Sequence, residues 1–169
     1  MKAYVMVDMQ KDFIEGVLGN ESTRNVVKNV VEKLKNIKGD FYYTMDTHSG
    51  DYMNTEEGRN LPVPHCIEGT EGYELADAIA AALPENAVMV QKVTFGAKNL
   101  PAAMNIEDIE EIELFGVCTD ICVISNAMLL KAFFPNKKIT VDASCCAGTS
   151  KESHERALEA MKMCHINIK

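Results

Sequence analysis

The sequence lacks tryptophan, and only 7% of its 169 residues are aromatic. It also has no uncharged apolar run near the ~18 residues that a membrane-spanning helix needs, which predicts that no segment crosses a membrane. Basic residues are outnumbered, because 17 Lys and Arg stand against 25 Asp and Glu, for a net charge of −8. An acidic surface repels nucleic acid and anionic lipid, so neither is expected as a partner.

No two cysteines have the CxxC spacing that is typical of a four-cysteine zinc site. The opening segment MKAYVMVDMQ has no apolar core of the signal-peptide kind, because Asp8 and Gln10 interrupt it. We therefore expect a cytoplasmic protein with reduced thiols. The six cysteines are Cys66, Cys118, Cys122, Cys145, Cys146 and Cys164.

The length fits one domain, which we assign to residues 1–169. Short β-branched runs predict strands at 3–7, 40–45, 87–93, 112–117, 138–142 and 165–168. Helical periods between them predict helices at about 22–37, 73–83, 98–104, 119–134 and 150–163. This alternation predicts an α/β fold, a three-layer doubly wound sandwich with a mostly parallel sheet of about six strands.

Two helix starts carry capping signals. Ser22 or Thr23 is expected to cap the first long helix, and Thr149 with Glu152 to form a capping box at the last.

Reactive side chains follow four of the predicted strands. Asp8 follows the first, Asp46 and His48 the second, Lys92 the third and Cys122 the fourth. Ligands of open α/β sheets bind outside the carboxyl ends of the strands, so we expect these groups to share one rim. A helix N-terminus and a nearby lysine lower a thiol pKa, and a nearby aspartate can take the proton. Each residue alone also has a purely structural explanation, as a turn, surface or core residue.

The segment 47–72 is long for a loop in a compact domain, and loops of this length are often functional. It contains two of the four histidines, His48 and His65. The other two, His154 and His165, are expected to lie away from the rim. The cysteines other than Cys118 and Cys122 are expected to be inert.

Five segments together resemble the isochorismatase-like cysteine hydrolases, with the nicotinamidase branch closest. They are VDMQKDF at 7–13, DTH at 46–48, PHCIEGT at 64–70, QKVTFGA at 91–97 and GVCTDICV at 116–123. The resemblance implies that Cys122 is the nucleophile, Asp8 the general base and acid, and Lys92 the partner of the thiolate. It also implies a cis peptide before Cys118, with the backbone N–H groups of Cys118 and Cys122 as an oxyanion hole.

The resemblance further implies a divalent metal (zinc, iron or manganese) and no organic cofactor. Three ligand positions are matched, by Asp46, His48 and His65. No histidine exists for the fourth position, which stays open among Asp51, Glu56 and Glu57, with Glu57 preferred. The alternative is that the two histidines organise the loop through hydrogen bonds, without metal.

The expected substrate pocket departs from the family pattern. Phe13 matches the aromatic residue that stacks on the substrate ring, but the opposing tryptophan is missing and Pro62 stands near its place. Tyr52 or Leu61 could fill the gap. Ile121 replaces a histidine that many nicotinamidases have, which makes the pocket more apolar.

The resemblance implies hydrolysis of a small amide through a thioester, with nicotinamide to nicotinate plus ammonia as the leading reaction. It also implies a homo-oligomer, a dimer or tetramer. The alternative within the family is an amidase for a ureido or carbamoyl compound. Outside it, a thiol redox protein using Cys118 and Cys122 remains open, as does a binding module without activity, which the intact set of Asp8, Lys92 and Cys122 disfavours.

Overall fold

A sheet of six parallel strands forms the centre of the protein, in a computed structural model that describes residues 1–169. The strands are β1 (Lys2–Val7), β2 (Asp40–Asp46), β3 (Ala87–Lys92), β4 (Glu111–Val117), β5 (Lys138–Ala147) and β6 (Asn167–Ile168). Their order is β3-β2-β1-β4-β5-β6, and every neighbouring pair is parallel. The predicted α/β fold is thereby confirmed.

Helices connect the strands. They are α1 (Lys11–Ile14), α2 (Glu21–Leu34), α3 (Glu56–Asn60), α4 (Asp77–Ala80), α5 (Leu100–Ala103), α6 (Ile124–Phe133) and α7 (Lys151–Met163). A π turn, Thr119–Val123, leads into α6. From β1 the sheet grows in two directions, with β2 and β3 on one side and β4, β5 and β6 on the other. Right-handed crossovers therefore place the two sets of connecting helices on opposite faces of the sheet. None of these helices has both the length and the apolar character that crossing a bilayer requires.

The core follows the predicted hydrophobic pattern. The central strands β1 and β4 are almost wholly buried, as expected for parallel strands covered on both faces. Helix α2 buries Val26, Val30 and Leu34, which lie four residues apart on one face. These strands and this helix fix the two loops that follow β1 and β4, where ligands of such sheets bind.

The helix predicted at 73–83 is wrong, since only the single turn α4 forms there. Residues before that turn pair instead with the segment after β1. Gln10 and Leu75 form an antiparallel bridge, and the N–H of Ala76 donates to the carbonyl of Met9 at 3.0 Å. Tertiary pairing therefore overrides the local helical preference of this alanine-rich stretch.

The predicted caps are displaced by one to three residues. Asn20 caps α2, because its side chain accepts from the N–H of Thr23, whose hydroxyl accepts from the N–H of Asn20. Ser150 caps α7. Thr149 is unavailable as a cap because its N–H and hydroxyl both donate to Asp120, at 2.9 and 2.5 Å.

Strand β5 runs ten residues, well past its predicted end at 142. It bends rather than stops, because the pairing register with β4 shifts between Leu114 and Gly116. Cys145 and Cys146 therefore lie inside a buried strand, where both side chains pack in the core.

A buried carboxylate ties three parts of the chain to the sheet. Glu113, on β4, is fully buried and forms ion pairs with Lys2, Lys33 and Lys169, the last at 3.0 Å. Lys33 also pairs with Asp142 at 2.5 Å. Burial by itself raises the pKa of Glu113, but its contacts with the three lysines outweigh burial and lower the pKa below its ordinary value. The cluster thus joins β1, α2 and the segment after β6.

Replacement of this carboxylate tests its contribution to stability. Glu113→Gln leaves three ammonium groups without their common partner, so we expect the free energy of unfolding near pH 7 to fall by about 3 kcal/mol. Because the folded-state pKa is lowered, the contribution is fully present above the ordinary value of 4.5 and is lost as the pH falls below it. Urea unfolding of wild type and variant should therefore converge in acid.

The control is Glu159→Gln, which neutralises a carboxylate whose side chain is 70% exposed and pairs only with Lys162. Its free energy of unfolding should stay within about 0.5 kcal/mol of wild type. Equal losses in the two variants would contradict a special role for Glu113.

Candidate active site

Three reactive side chains meet at the carboxyl rim of the sheet. Asp8 follows β1, Lys92 ends β3, and Cys122 lies in the π turn after β4. Lys92 Nζ lies 2.7 Å from Asp8 Oδ2 and 3.5 Å from Cys122 Sγ. All three residues are buried. The structure thus brings together the three side chains that the sequence places at separate strand ends.

Asp8 is held in an unusual backbone conformation. Its φ of 48° lies in the left-handed region, which aspartate tolerates better than most residues. The hydroxyl of Thr44 donates to Oδ1 at 2.5 Å, which leaves Oδ2 to Lys92. Burial is the main cause of the raised pKa of Asp8; the charge of Lys92 opposes it, and that of Asp46 adds to it. A carboxylate in this environment is suited to accept and return a proton.

The pKa of the Cys122 thiol is raised above its ordinary value, contrary to the expectation of a lowered pKa. Burial is the main cause of its raised pKa, followed by the negative charge of Asp8, while Lys92 lowers it by less. Lys92 has two closer partners, Asp8 at 2.7 Å and Asp46 at 2.9 Å. Their charges offset that of the ammonium group, and the Asp8 carboxylate beside the thiol is suited to take its proton.

The turn that carries Cys122 begins with close packing of β4 on β1. Gly116 has a φ of 122°, and a Cβ there would overlap the backbone of Val7. The peptide Val117–Cys118 is cis, which confirms the expectation. The N–H of Cys118 donates to no backbone carbonyl, so it is free to bind a ligand oxygen. Cys118 and Cys122 both line one cavity.

Four potential metal ligands lie beside this group. One ligand atom from each lies within 4.8 Å of all the others in the set Asp46, His48, Glu57 and His65. Nε2 of His48 is 3.0 Å, and Nε2 of His65 3.4 Å, from the same oxygen of Asp46. The N–H of His48 donates to the carbonyl of Cys66 at 3.0 Å, which holds the two histidine segments side by side. The segment 47–72 therefore closes on itself around this cluster.

The chemistry of these donors fits a divalent metal ion. Nδ1 of His65 donates to the Val63 carbonyl at 2.8 Å, which turns Nε2 of the same ring toward the cluster, as in many metal sites. Hydrogen bonds from His48 and His65 and the charge of Lys92 together lower the pKa of Asp46, although burial opposes them. Burial and Asp46 raise the pKa of Glu57. Two carboxylates and two imidazoles facing one point are typical ligands of zinc, iron or manganese.

The structure distinguishes among the three candidates for the fourth ligand. Glu57 Oε1 lies 3.7 Å from His48 Nε2 and 3.6 Å from His65 Nε2. The neighbouring Glu56 is 81% exposed at its side chain and pairs with Arg59 instead. Asp51 hydrogen-bonds Asn54. Only Glu57 joins the cluster.

Tyr52 supports the histidines from behind. Its buried ring contacts His48 and His65 edge-on, at centroid distances of 4.9 and 5.0 Å, and its hydroxyl donates to the Leu61 carbonyl at 2.9 Å. Tyr52 therefore does not fill the place of the missing tryptophan, whereas Leu61 lines the cavity.

A small cavity of about 40 Å³ adjoins both groups of residues. Phe13 and Ile121 line it, as the sequence predicts, and Phe13 also contacts His65 edge-on at 5.5 Å. Leu18 and Phe95 line it as well and were missed. Phe95 lies three residues after Lys92, inside the segment QKVTFGA, so that motif could have pointed to it. The cavity walls are mostly apolar, which suits a small ring.

Two further polar residues at the site were missed or misplaced. His154 lies near the rim, not away from it, because α7 begins where β5 ends; its Nδ1 is 2.7 Å from the hydroxyl of Thr119 in the π turn. Gln10 is fully buried and grips the backbone of Asp46, accepting from its N–H and donating to its carbonyl at 2.8 Å each. Both side chains fix backbone that carries site residues.

Comparison with known proteins places this geometry in a family. The family model described as Isochorismatase domain matches residues 2–168. A Bacillus subtilis protein named PncA, an uncharacterized isochorismatase family protein, is 29% identical over 171 residues, covering 93% of this chain and 92% of that protein. The nicotinamidase/pyrazinamidase of Mycobacterium tuberculosis is 25% identical, covering 99% and 98%.

A solved structure shows the same architecture. The pyrazinamidase of Pyrococcus horikoshii in complex with zinc superposes with a TM-score of 0.83 at 28% identity, covering 99% of this chain and 98% of that one. The resemblance seen in the five sequence segments is therefore confirmed over the whole fold. The chain belongs to the isochorismatase family.

Proposed function

We propose that this protein is a nicotinamidase-like amidohydrolase, one domain over residues 1–169, that converts nicotinamide to nicotinate and ammonia. The observation that carries the proposal is the contact of Lys92 with Asp8 and Cys122, beside a cavity that the four-ligand cluster also borders. The relatives named nicotinamidase support a small amide as the substrate.

The first half of the reaction forms a thioester. Cys122 Sγ attacks the amide carbonyl carbon while Asp8 accepts the thiol proton. The N–H groups of Cys118 and Cys122 stabilise the oxyanion that forms. Asp8 then gives the proton to the amide nitrogen, the carbon–nitrogen bond breaks, and ammonia leaves.

The second half releases the acid. Water attacks the thioester carbonyl carbon as Asp8 accepts one of its protons. The carbon–sulfur bond breaks and the proton returns to Sγ, which regenerates the thiol. Lys92 stays between Asp8 and Cys122 throughout and stabilises whichever of the two carries the negative charge.

Asp46, His48, Glu57 and His65 would hold a divalent metal ion beside the cavity; zinc, iron and manganese all suit the donor set. When bound, such an ion supplies a Lewis-acid contact for a ring nitrogen of the substrate. Phe13 packs against the ring from the cavity wall, and no organic cofactor takes part. Asp46 also pairs with Lys92, so one carboxylate serves both groups of residues.

Two further features complete the proposal. A cytoplasmic location suits the six free thiols, five of them buried. A homo-oligomer, dimer or tetramer, is proposed from the family resemblance.

The nucleophile is tested by ammonia release from nicotinamide. Cys122→Ala removes the attacking sulfur, so we expect kcat to fall by at least about 1,000-fold. Cys118→Ala keeps the backbone N–H and should cost less than about 10-fold. A redox protein that uses both thiols would instead lose function equally in the two variants.

The same assay separates the alternatives. Activity that survives in Cys122→Ala would overturn the thioester route. No ammonia from nicotinamide, with protein that still reacts with iodoacetamide at Cys122, would favour a ureido or carbamoyl substrate.

The metal site is tested by a matched pair of variants on one helix. Glu57→Gln weakens a ligand, and we expect zinc to bind at least about 10-fold more weakly, since even partners outside the coordination sphere contribute 10- to 100-fold. Glu56→Gln alters the adjacent exposed carboxylate and should leave affinity unchanged. Isothermal titration with Zn²⁺ measures both.

Thermal unfolding gives an independent measurement. Zinc at 100 times its Kd should stabilise the wild type by about 2.7 kcal/mol. Equal zinc affinity in Glu57→Gln and wild type would exclude Glu57 as a ligand.

A further inference from the structure

Asn126 is a buried polar residue that the proposed chemistry does not use. It lies on α6, four residues after Cys122, and its side chain is fully buried. A buried amide needs hydrogen-bond partners, because an unsatisfied one loses its bonds to water without replacement. Where those partners lie therefore shows what the residue holds in place.

All the hydrogen-bond partners of Asn126 are backbone groups, and they lie on both sides of the contact between Lys92 and Cys122. Its Oδ1 accepts from the N–H of Ala97 at 2.8 Å. Its Nδ2 donates to the carbonyls of Phe95 and Cys122, at 3.1 and 2.8 Å. The amide orientation is unambiguous, because the reverse would set the oxygen against two carbonyls and the nitrogen against an N–H.

These bonds join two separate segments. One is the loop 93–97, which follows Lys92 and carries Phe95 into the cavity wall. The other is the turn that carries Cys122. Within the loop, Lys92 Nζ donates to the carbonyl of Thr94 at 3.0 Å, so the ammonium group is fixed to the same loop that Asn126 grips.

We propose that Asn126 is a positioning residue that sets the separation of Lys92 Nζ and Cys122 Sγ, and with it the place of Phe95 at the cavity. The role in catalysis rests on the proposed function of Cys122. Without the amide, nothing but packing and the 3.5 Å contact of the two side chains keeps the loop against the turn. Small displacements of reacting groups are expensive, since about 1 Å can cost 100-fold in rate.

The test compares two side chains of the same shape. Asn126→Thr can donate to the carbonyl four residues earlier, that of Cys122, and accept from Ala97. Asn126→Val can do neither. We expect kcat for nicotinamide to fall by about 10- to 100-fold in the valine variant and by much less in the threonine variant, with KM changed less than kcat.

A second measurement follows the thiol without any substrate. The rate of alkylation of Cys122 by iodoacetamide is read by mass spectrometry of its peptide, in a Cys164→Ser background that removes the exposed thiol. Asn126→Val should react about 10-fold more slowly than wild type, with Asn126→Thr in between. Thr23→Ala removes a buried capping hydroxyl of α2 and should lower stability without changing the alkylation rate.

The outcomes separate the two proposals. Equal alkylation rates and equal kcat in the threonine and valine variants would overturn the positioning role. A wild type that is alkylated at Cys122 but releases no ammonia would overturn the nicotinamidase assignment, while the alkylation series still decides the role of Asn126. If Asn126→Val does not fold, Asn126→Ser against Asn126→Ala gives the same comparison.

Discussion

The site depends on one buried ammonium group. Lys92 is 4% exposed and lies between two carboxylates, those of Asp8 and Asp46. A lysine in such a place is tolerable only because it is paired, and its pKa is raised by these partners although burial alone would lower it. The same charge holds Asp8 beside the thiol and Asp46 beside the histidines. Removal of the ammonium group would leave the carboxylates of Asp8 and Asp46 buried without their shared cation.

The fold supplies this arrangement through the point where the strand order reverses. β1 and β4 are neighbours there, and the loops after them diverge to opposite faces. Asp8 leaves β1 in a left-handed conformation, and Gly116 allows β4 to approach the backbone of Val7. The acid–base group and the nucleophile therefore lie on adjacent strand ends, whereas Lys92 reaches them from the edge strand β3 along its four-carbon side chain.

Much of this could be predicted from the sequence, for identifiable reasons. The β-branched runs predicted the strands and hence the fold. The reactive residues at the strand ends predicted that Asp8, Lys92 and Cys122 meet, because a parallel sheet brings these ends to one edge. The single turn at α4 could not be predicted, since it depends on pairing with Gln10, distant in sequence. Glu57 was preferred as the fourth ligand and joins the cluster, but the sequence pattern gave no physical ground for choosing it over Glu56, because the choice depends on which side of a one-turn helix faces His65. The raised pKa of the Cys122 thiol was also not predicted, because it depends mainly on how deeply the fold buries the thiol and then on the nearby charge of Asp8.

The size of the cavity has a kinetic consequence. At about 40 Å³ it has room for roughly one water molecule, so an aromatic ring enters only after the walls move outward. Leu61 and Phe95 line it and are 38% and 43% exposed, so both stand between the cavity and solvent. Rotations of exposed side chains take picoseconds to nanoseconds, far faster than turnover at typical enzyme rates. Rotation of Leu61 and Phe95 is therefore too fast to limit turnover, and the narrow cavity behind them keeps bulk water from the buried thiol of Cys122.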